Sequence, residues 1–268
     1  MSLISVARPS PANRSSSSLS SVTTAMRVLK SFTPTHQEWG VSDLARHLGI
    51  GKSTAHRLLT TMVDERVLEQ DLRSGRYRLG LAVMDLAGAV PAQYSLHEAV
   101  MGPMAALRNH SGETTQVAVL DGREVVYVER LDSPHTLRMF LEIGRRNHAH
   151  CTSTGKVLLA FLRPARLDRL LTGWELAPIT AHTITDRSRL RAELDVVRSQ
   201  GWAGNHHESK VGVASFSAPI RGAASEVIAA LSVAGPTERM DRDAATLVGA
   251  LIETAAFVSR RLGWQGGA

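Results

Sequence analysis

Small hydroxyl and basic side chains recur at helical spacing between residues 52 and 61. Ser53, Arg57, Thr60 and Thr61 fall on one side of a helical wheel, and the other polar residues lie near its N-terminal end. Hydroxyl and guanidinium groups hydrogen-bond to base edges and phosphates, and the positive end of a helix attracts phosphate. This face therefore predicts contact with the DNA major groove, against the alternative of a solvated face on an ordinary helix hairpin. The predicted contact residues are Lys52, Ser53, Thr54, His56, Arg57, Thr60 and Thr61.

Two short amphipathic helices, 41–48 and about 53–64, are expected to hold this face. Gly49 lies where the turn between them needs a residue without a Cβ. Ala45 is small where the helices must approach closely, and Ile50 is apolar where the turn must enter the core. The stretch therefore predicts a helix-turn-helix whose second helix is the recognition helix.

Arginines also cluster just after the second helix. The strands 67–70 and 76–79 are predicted to form a hairpin around a turn at residues 73–75. Such a wing would place Arg73, Arg76 and Arg78 beside the DNA backbone or the minor groove. The alternative is that these arginines only keep an exposed hairpin soluble.

Composition limits the classes of function. Lys and Arg number 31 against 25 Asp and Glu, and the pI near 10.1 favours a polyanionic partner. The single cysteine, Cys151, excludes an internal disulfide framework and a Cys-rich zinc module, and fits a reducing cytoplasm. No run of about 18 apolar residues predicts a membrane span. The serine-rich residues 1–20 are expected to be a disordered tail rather than a transit peptide.

Helices and strands are mixed in the rest of the chain. Ser21 or Thr23 is expected to cap a first helix, and Ser153 or Thr154 a helix that begins near Gly155. Because strict βαβ alternation is missing, the second half predicts an α+β domain around an antiparallel sheet. The predicted helices are 81–90, 95–108, 164–171, 187–200 and a final amphipathic one, and the predicted strands are 114–120, 124–131, 136–143, 202–206, 211–219 and 226–233.

Several motifs, taken in order, resemble the IclR family of transcriptional regulators. They are Tyr77-Arg78-Leu79-Gly80, Ser111-Gly112-Glu113-Thr114, the stretch from His150 to Ala160, Gly201-Trp202-Ala203 with Glu208, and residues 230–236. The resemblance covers about residues 20–262. It implies a winged helix-turn-helix at 21–80, a linker helix at 81–94, and an effector-binding domain of GAF-like or PAS-like (profilin-like) topology at 95–264. It also implies a homodimer or dimer of dimers on pseudo-palindromic double-stranded DNA, a small organic or aromatic acid as effector, and no cofactor.

Carried over by position, the resemblance implies an effector pocket in the second domain. Hydroxyls on strands and free N–H groups at the start of the Gly155 helix suit a carboxylate or carbonyl. Asn205-His206-His207 stands where relatives usually have an acidic residue, and Ser215 where some have Cys, so a relative's effector class is not transferred. The implied pocket residues are Met139, Asn147, Ser153, Thr154, Asn205, Val213, Ser215 and Ser232.

Two other functions remain open from the residues alone. Imidazole and thiolate groups suit zinc, which makes a metal-responsive regulator the main alternative, although no C-x-x-C or H-E-x-x-H spacing is present. An enzyme with Cys151 as nucleophile and a histidine as base is the second alternative, without a nucleophile elbow, phosphate loop or Rossmann fingerprint to support it. We therefore predict no enzymatic activity. The residues concerned are His148, His150, Cys151, His206 and His207.

Overall fold

The computed structural model describes residues 19–33, 36–88, 93–138 and 143–266. The chain divides into two compact units, one up to residue 91 and one from residue 92 onward. Most of the predicted tail lies outside the described residues. No helix in the described ranges is long and apolar enough to cross a membrane.

The first unit is a small helical domain with a hairpin. Trp39, Leu44, Leu59 and Tyr77 pack in its core. The helix α1 begins at Ser20 without a side-chain cap, so the predicted caps for this helix are wrong. Its elements are α1 (Ser20–Lys30), α2 (Val41–Leu48), α3 (Lys52–Asp64), β1 (Leu68–Gln70), β2 (Tyr77–Leu79) and α4 (Ala82–Gly88).

The turn between α2 and α3 has the geometry that the sequence predicts. Gly49 adopts a left-handed conformation with φ 67°, which a residue without a Cβ adopts freely. The Ile50 N–H donates to the Ala45 carbonyl at 3.0 Å, and this bond ends α2. Trp39 and Tyr77 exchange backbone hydrogen bonds, which ties the residues before α2 to the wing hairpin.

The second unit is built on a six-stranded antiparallel sheet of order β5-β4-β3-β8-β7-β6. This curled sheet with helices on both faces confirms the α+β prediction. The elements are α5 (Gln93–Ser111), β3 (Thr114–Asp121), β4 (Glu124–Leu131), β5 (Arg146–His148), α6 (Ser153–Ala160), α7 (Pro164–Leu171), α8 (Arg187–Gln200), β6 (Ala203–His206), β7 (Val213–Arg221), β8 (Val227–Pro236), α9 (Thr237–Arg242) and α10 (Ala244–Arg261).

Alternation along the strands divides the sheet into two faces. Val117, Phe216 and Leu231 point to the face that α5 and α10 cover. Ala118 and Ala230 point to the other face, which packs against α6, α7 and α8. A row of polar side chains crosses this second face, because Gln116 of β3 lies opposite Ser232 of β8, and Ser232 lies opposite Ser217 of β7.

Two predictions about this unit are wrong. Residues 136–138 are not a strand, and residues 139–142 of that predicted strand lie outside the described residues. The outer edge of β4 is instead paired with β5, with Val125 opposite Asn147. The cap of α6 is Thr152 rather than Ser153 or Thr154, because Thr152 Oγ1 accepts the Gly155 N–H at 3.2 Å.

Candidate functional site

The exposed side of α3 is polar and carries no acidic group before the last residue of the helix. All seven residues predicted on it are exposed, whereas Ala55, Leu59 and Met62 are buried on the opposite side. The first acidic residue of the helix is Asp64, at its far end. Gly51 has no side chain to cap the first turn, so the N–H groups there stay available to a phosphate.

The wing turn is held by one carboxylate. Asp71 Oδ1 accepts the backbone N–H of Arg73 at 2.7 Å and of Ser74 at 2.9 Å, and these bonds lower the pKa of Asp71. Arg73 and Arg76 are exposed and have no carboxylate partner among the described residues. Arg78 differs, because its guanidinium donates to Glu69 Oε2 at 2.9 and 3.1 Å.

A cavity of about 220 Å³ opens beside the start of α6, on the sheet face that carries the polar row. Its walls come from all six strands of the sheet, from the turn before α6, from the segment between α7 and α8, and from the loop between β6 and β7. The lining residues are Gln116, Tyr127, Arg145, Asn147, His148, Cys151, Thr152, Ile179, Asn205, Ser209, Lys210, Val213, Ser215 and Ala234.

Four of the eight implied effector residues line this cavity: Asn147, Asn205, Val213 and Ser215. Three other described ones do not. Ser153 is buried behind the wall, where its Oγ lies 2.7 Å from both Ser215 Oγ and Ser217 Oγ. Thr154 and Ser232 are also buried beside the cavity without lining it, and Met139 lies outside the described residues.

The charged groups around the cavity are basic. Arg145 and Lys210 are exposed at its rim, and no Asp or Glu is among its described lining residues. Deeper in, Gln116 is only 2% exposed, and its Oε1 has no hydrogen-bond partner among the described residues. A buried amide oxygen without a partner is costly, which favours a donor group arriving with a ligand.

Tyr127 adds a second buried polar group to the same cavity. Burial raises the pKa of its hydroxyl, and the nearby side chains of Thr154 and Asn147 partly offset that rise. The phenol therefore stays protonated at neutral pH and can donate a hydrogen bond.

The loop between β6 and β7 is fixed by a buried ion pair. Lys156 Nζ lies 2.7 Å from Glu208 Oε1 and 2.8 Å from Glu193 Oε1, and the Lys156 side chain is 2% exposed. Burial raises the pKa of Glu208, whereas Lys156 opposes that rise. The Glu208 N–H donates to Asn205 Oδ1 at 3.0 Å, so the ion pair also orients a residue of the cavity wall.

Several lining residues were missed from the sequence. Gln116 and Tyr127 belong to predicted strands. The alternation of apolar residues in these strands does not show that either side chain faces a cavity. Arg145 and Lys210 lie in two turns that are far apart in the sequence. Both turns border the cavity only because of the order in which the strands are arranged in the sheet. The basic turn Gly144-Arg145-Arg146, which precedes α6, is the sequence feature that could have indicated a positive charge near the pocket.

The histidines and the cysteine proposed for a metal site do not converge. His150 Nε2 lies 3.0 Å from the Ala177 carbonyl, His206 Nε2 lies 3.0 Å from Asp241 Oδ1, and His207 Nδ1 accepts the Gly212 N–H. Within the described part of the chain, no group of three His, Cys, Asp or Glu side chains is placed to hold a metal ion. The structure therefore does not support the metal-responsive alternative.

The chemistry of Cys151 does not suit a nucleophile. Burial raises the pKa of its thiol to about 12, so the reactive thiolate is scarce at neutral pH. Burial also lowers the pKa of His150, the histidine next to it in the chain.

Comparison with known proteins agrees with this architecture. The family model for the IclR helix-turn-helix domain matches residues 21–72, and the model for the bacterial transcriptional regulator IclR C-terminal domain matches residues 89–260. The chain is 33% identical to the HTH-type transcriptional regulator XynR of Escherichia coli, over 92% of this chain and 98% of that protein. It is 34% identical to the glycerol operon regulatory protein of Streptomyces griseus, over 91% of this chain and 97% of that protein.

Solved structures give the same result. An IclR homolog from Microbacterium hydrocarbonoxydans, complexed with 4-hydroxybenzoate, superposes with a TM-score of 0.81 at 28% identity, covering 91% of this chain and 99% of that one. Both halves of the chain thus match the same regulators in the same order. The chain belongs to the IclR family of bacterial transcriptional regulators.

Proposed function

We propose that this regulator binds a specific operator through α3 and the wing, and that a small organic or aromatic acid in the cavity of the second unit controls that binding. The proposal that the chain binds DNA rests on the exposed face of α3. From Lys52 to Thr61 it presents hydroxyl and basic groups without a carboxylate, beside an uncapped helix N-terminus.

Within this face we assign different roles to the basic residues. Arg57 projects from the middle of α3, where a recognition helix meets base edges, so it reads sequence. Arg73 and Arg76 lie on the wing, have no carboxylate partner in the part of the chain that the structure describes, and bind phosphate. Arg78 contributes less than these two, because DNA contact would have to compete with its ion pair to Glu69.

We expect Arg57→Ala to weaken binding to the operator by about 1–3 kcal/mol and to relax the preference at one base position. The reason is that the lost guanidinium discriminates between bases rather than binding all duplexes equally. Fluorescence anisotropy with an operator duplex and single-base variants of it measures both effects.

Arg76→Ala is the matched variant for a phosphate contact. It is expected to weaken all duplexes alike and to reduce the slope of log K against log salt by about 1. Operator binding equal to that of the parent in both variants would show that the DNA interface lies elsewhere.

The effector class follows from the cavity. Its rim carries Arg145 and Lys210, and its interior offers Tyr127, Asn205 and Gln116 for hydrogen bonds. At about 220 Å³ it is smaller than the roughly 300–1,000 Å³ sites that hold drug-sized ligands, which favours a compact acid. The 4-hydroxybenzoate bound to the homolog from Microbacterium hydrocarbonoxydans is an acid of this kind.

A thermal-shift experiment tests the requirement for a carboxylate. We expect compact acids, with 4-hydroxybenzoate as the first probe, to raise the melting temperature of the second unit, because a ligand at about 100 times its Kd stabilises by about 2.7 kcal/mol. The matched neutral amide, 4-hydroxybenzamide, is the control. Equal or greater stabilisation by neutral analogues across the series would contradict an anion-binding pocket.

An effector can control DNA binding only if the protein has two conformations that differ in their affinity for DNA and for the effector. We propose a homodimer, or a dimer of such dimers, in which the acid prefers one arrangement. Helices α4 and α5 are the segments that connect the two units along the chain, and they are the elements expected to transmit the change.

A further inference from the structure

An uncovered groove runs between α5 and α10, on the sheet face opposite the effector cavity. It has a volume of about 810 Å³. Ile252 is 37% exposed and Phe257 is 48% exposed, so two large apolar side chains face solvent there. Small residues beside them allow another backbone to approach closely. The apolar and small residues of the groove are Gly102, Pro103, Ala106, Ile252, Ala256 and Phe257.

Two opposite charges flank the apolar part of α10. Glu253 and Arg260 are exposed, and neither forms an ion pair with any described residue. They are seven residues apart, which is two helical turns or about 10.5 Å, so they lie on the same side of α10. Ala256 and Phe257 lie midway between them.

The sequence of an acidic, an apolar and a basic group along α10 is complementary to the same sequence read in the opposite direction. A two-fold axis placed between Ala256 and Phe257 would bring a second α10 alongside in the antiparallel direction. Glu253 of each copy would then face Arg260 of the other, with the apolar residues in contact at the axis. A contact of this kind is isologous, and it forms two ion pairs around an apolar centre.

We infer that the groove between α5 and α10 is a contact surface for a second copy of this chain. The occupant is identified by charge, because a copy of α10 supplies both the acid and the base that the face needs at the correct spacing. The inference depends neither on DNA binding nor on the effector pocket. It names a surface within whatever assembly the chain forms.

Charge reversal tests this surface in the full chain. Glu253→Arg and Arg260→Glu each place two like-charge pairs across the proposed axis. Each variant is expected to raise the dissociation constant of one association step by about tenfold or more. The double variant restores opposite charges and is expected to recover affinity to within about threefold of the parent. Sedimentation velocity across a broad concentration range measures this.

Matched controls are available on the opposite side of the second unit. Glu175 and Arg189 are exposed and have no ion-pair partner among the described residues, so Glu175→Arg and Arg189→Glu make the same charge changes away from the groove. They are expected to sediment as the parent does. Circular dichroism checks that every variant is folded. The inference is overturned if the parent does not self-associate, if the α10 variants behave like the controls, or if the double variant dissociates as readily as the singles.

Discussion

Replacing Lys156 with methionine is expected to lower the free energy of unfolding of the second unit by about 3–5 kcal/mol. Methionine fills a similar volume but leaves Glu208 without its cation. The Glu208 side chain is 10% exposed, and its Oε2 already lacks a hydrogen-bond partner among the described residues, so water cannot easily replace Lys156. Removing one partner of a buried pair is costly for this reason.

Urea denaturation followed by tryptophan fluorescence measures the loss, because Trp174, Trp202 and Trp264 all report on the second unit. Arg191→Ala is the matched control: its pair with Asp168 is half exposed on both sides, so it is expected to cost no more than about 1 kcal/mol. The double variant Lys156→Met/Glu208→Met is expected to recover most of the stability. A loss no larger than that of Arg191→Ala would contradict the role of the ion pair.

Gly155→Ala is expected to destabilise the second unit by about 3 kcal/mol. A Cβ at this position would overlap the backbone of Ala149, including its carbonyl oxygen. Because backbone atoms cannot move aside as a flexible side chain can, the turn before α6 would have to shift. That turn supplies Cys151 and Thr152 to the cavity, so effector affinity is expected to fall as well.

Gly249→Ala provides the comparison. Gly249 lies inside α10, and apart from the helix's own backbone no described atom comes within 4 Å of the position that a Cβ would occupy, so alanine there is expected to stabilise α10 by about 0.5–1 kcal/mol. Thermal unfolding of both variants and the parent gives the two changes. Equal stability of Gly155→Ala and the parent would mean that the turn before α6 adapts easily.

The helices whose first and last residues the sequence predicts correctly are those with a capping residue, proline or glycine near each end. Helices α7 and α8 begin and end at their predicted residues, 164–171 and 187–200, because residues at their ends mark where a helix starts or stops. Pro164 occupies the first turn of α7, Asp186 Oδ1 accepts the Arg189 N–H at 2.8 Å at the start of α8, and Gly201 ends α8 with φ 82°. The helix-turn-helix is predicted for the same reason, through Gly49.

Elements and contacts that depend on distant partners could not be predicted in this way. Residues 136–143 alternate as a strand does, but β5 occupies the free edge of β4. Strand β5 itself has only three residues and no apolar pattern. Alternation alone cannot identify which of several segments pairs with a given edge.

The candidate pocket shows the same limit. Asn205 and Ser215 could be carried over by family position, whereas Gln116 faces the cavity only because β3 lies beside β8 in the sheet. The Lys156–Glu208 pair joins residues 52 positions apart. Both residues belong to motifs that carry the family resemblance, but no sequence pattern pairs them, and only the fold brings the two charges together.

One binding measurement tests the central claim that the α3 face reads DNA under control of the second unit. The full chain is titrated against its own promoter region and against a random duplex of equal length at moderate ionic strength, with and without compact carboxylic acids. We predict a preference for the promoter of about a thousandfold or more, and a change in promoter affinity with at least one acid but not with its amide. Equal affinity for both duplexes under every condition would contradict the account.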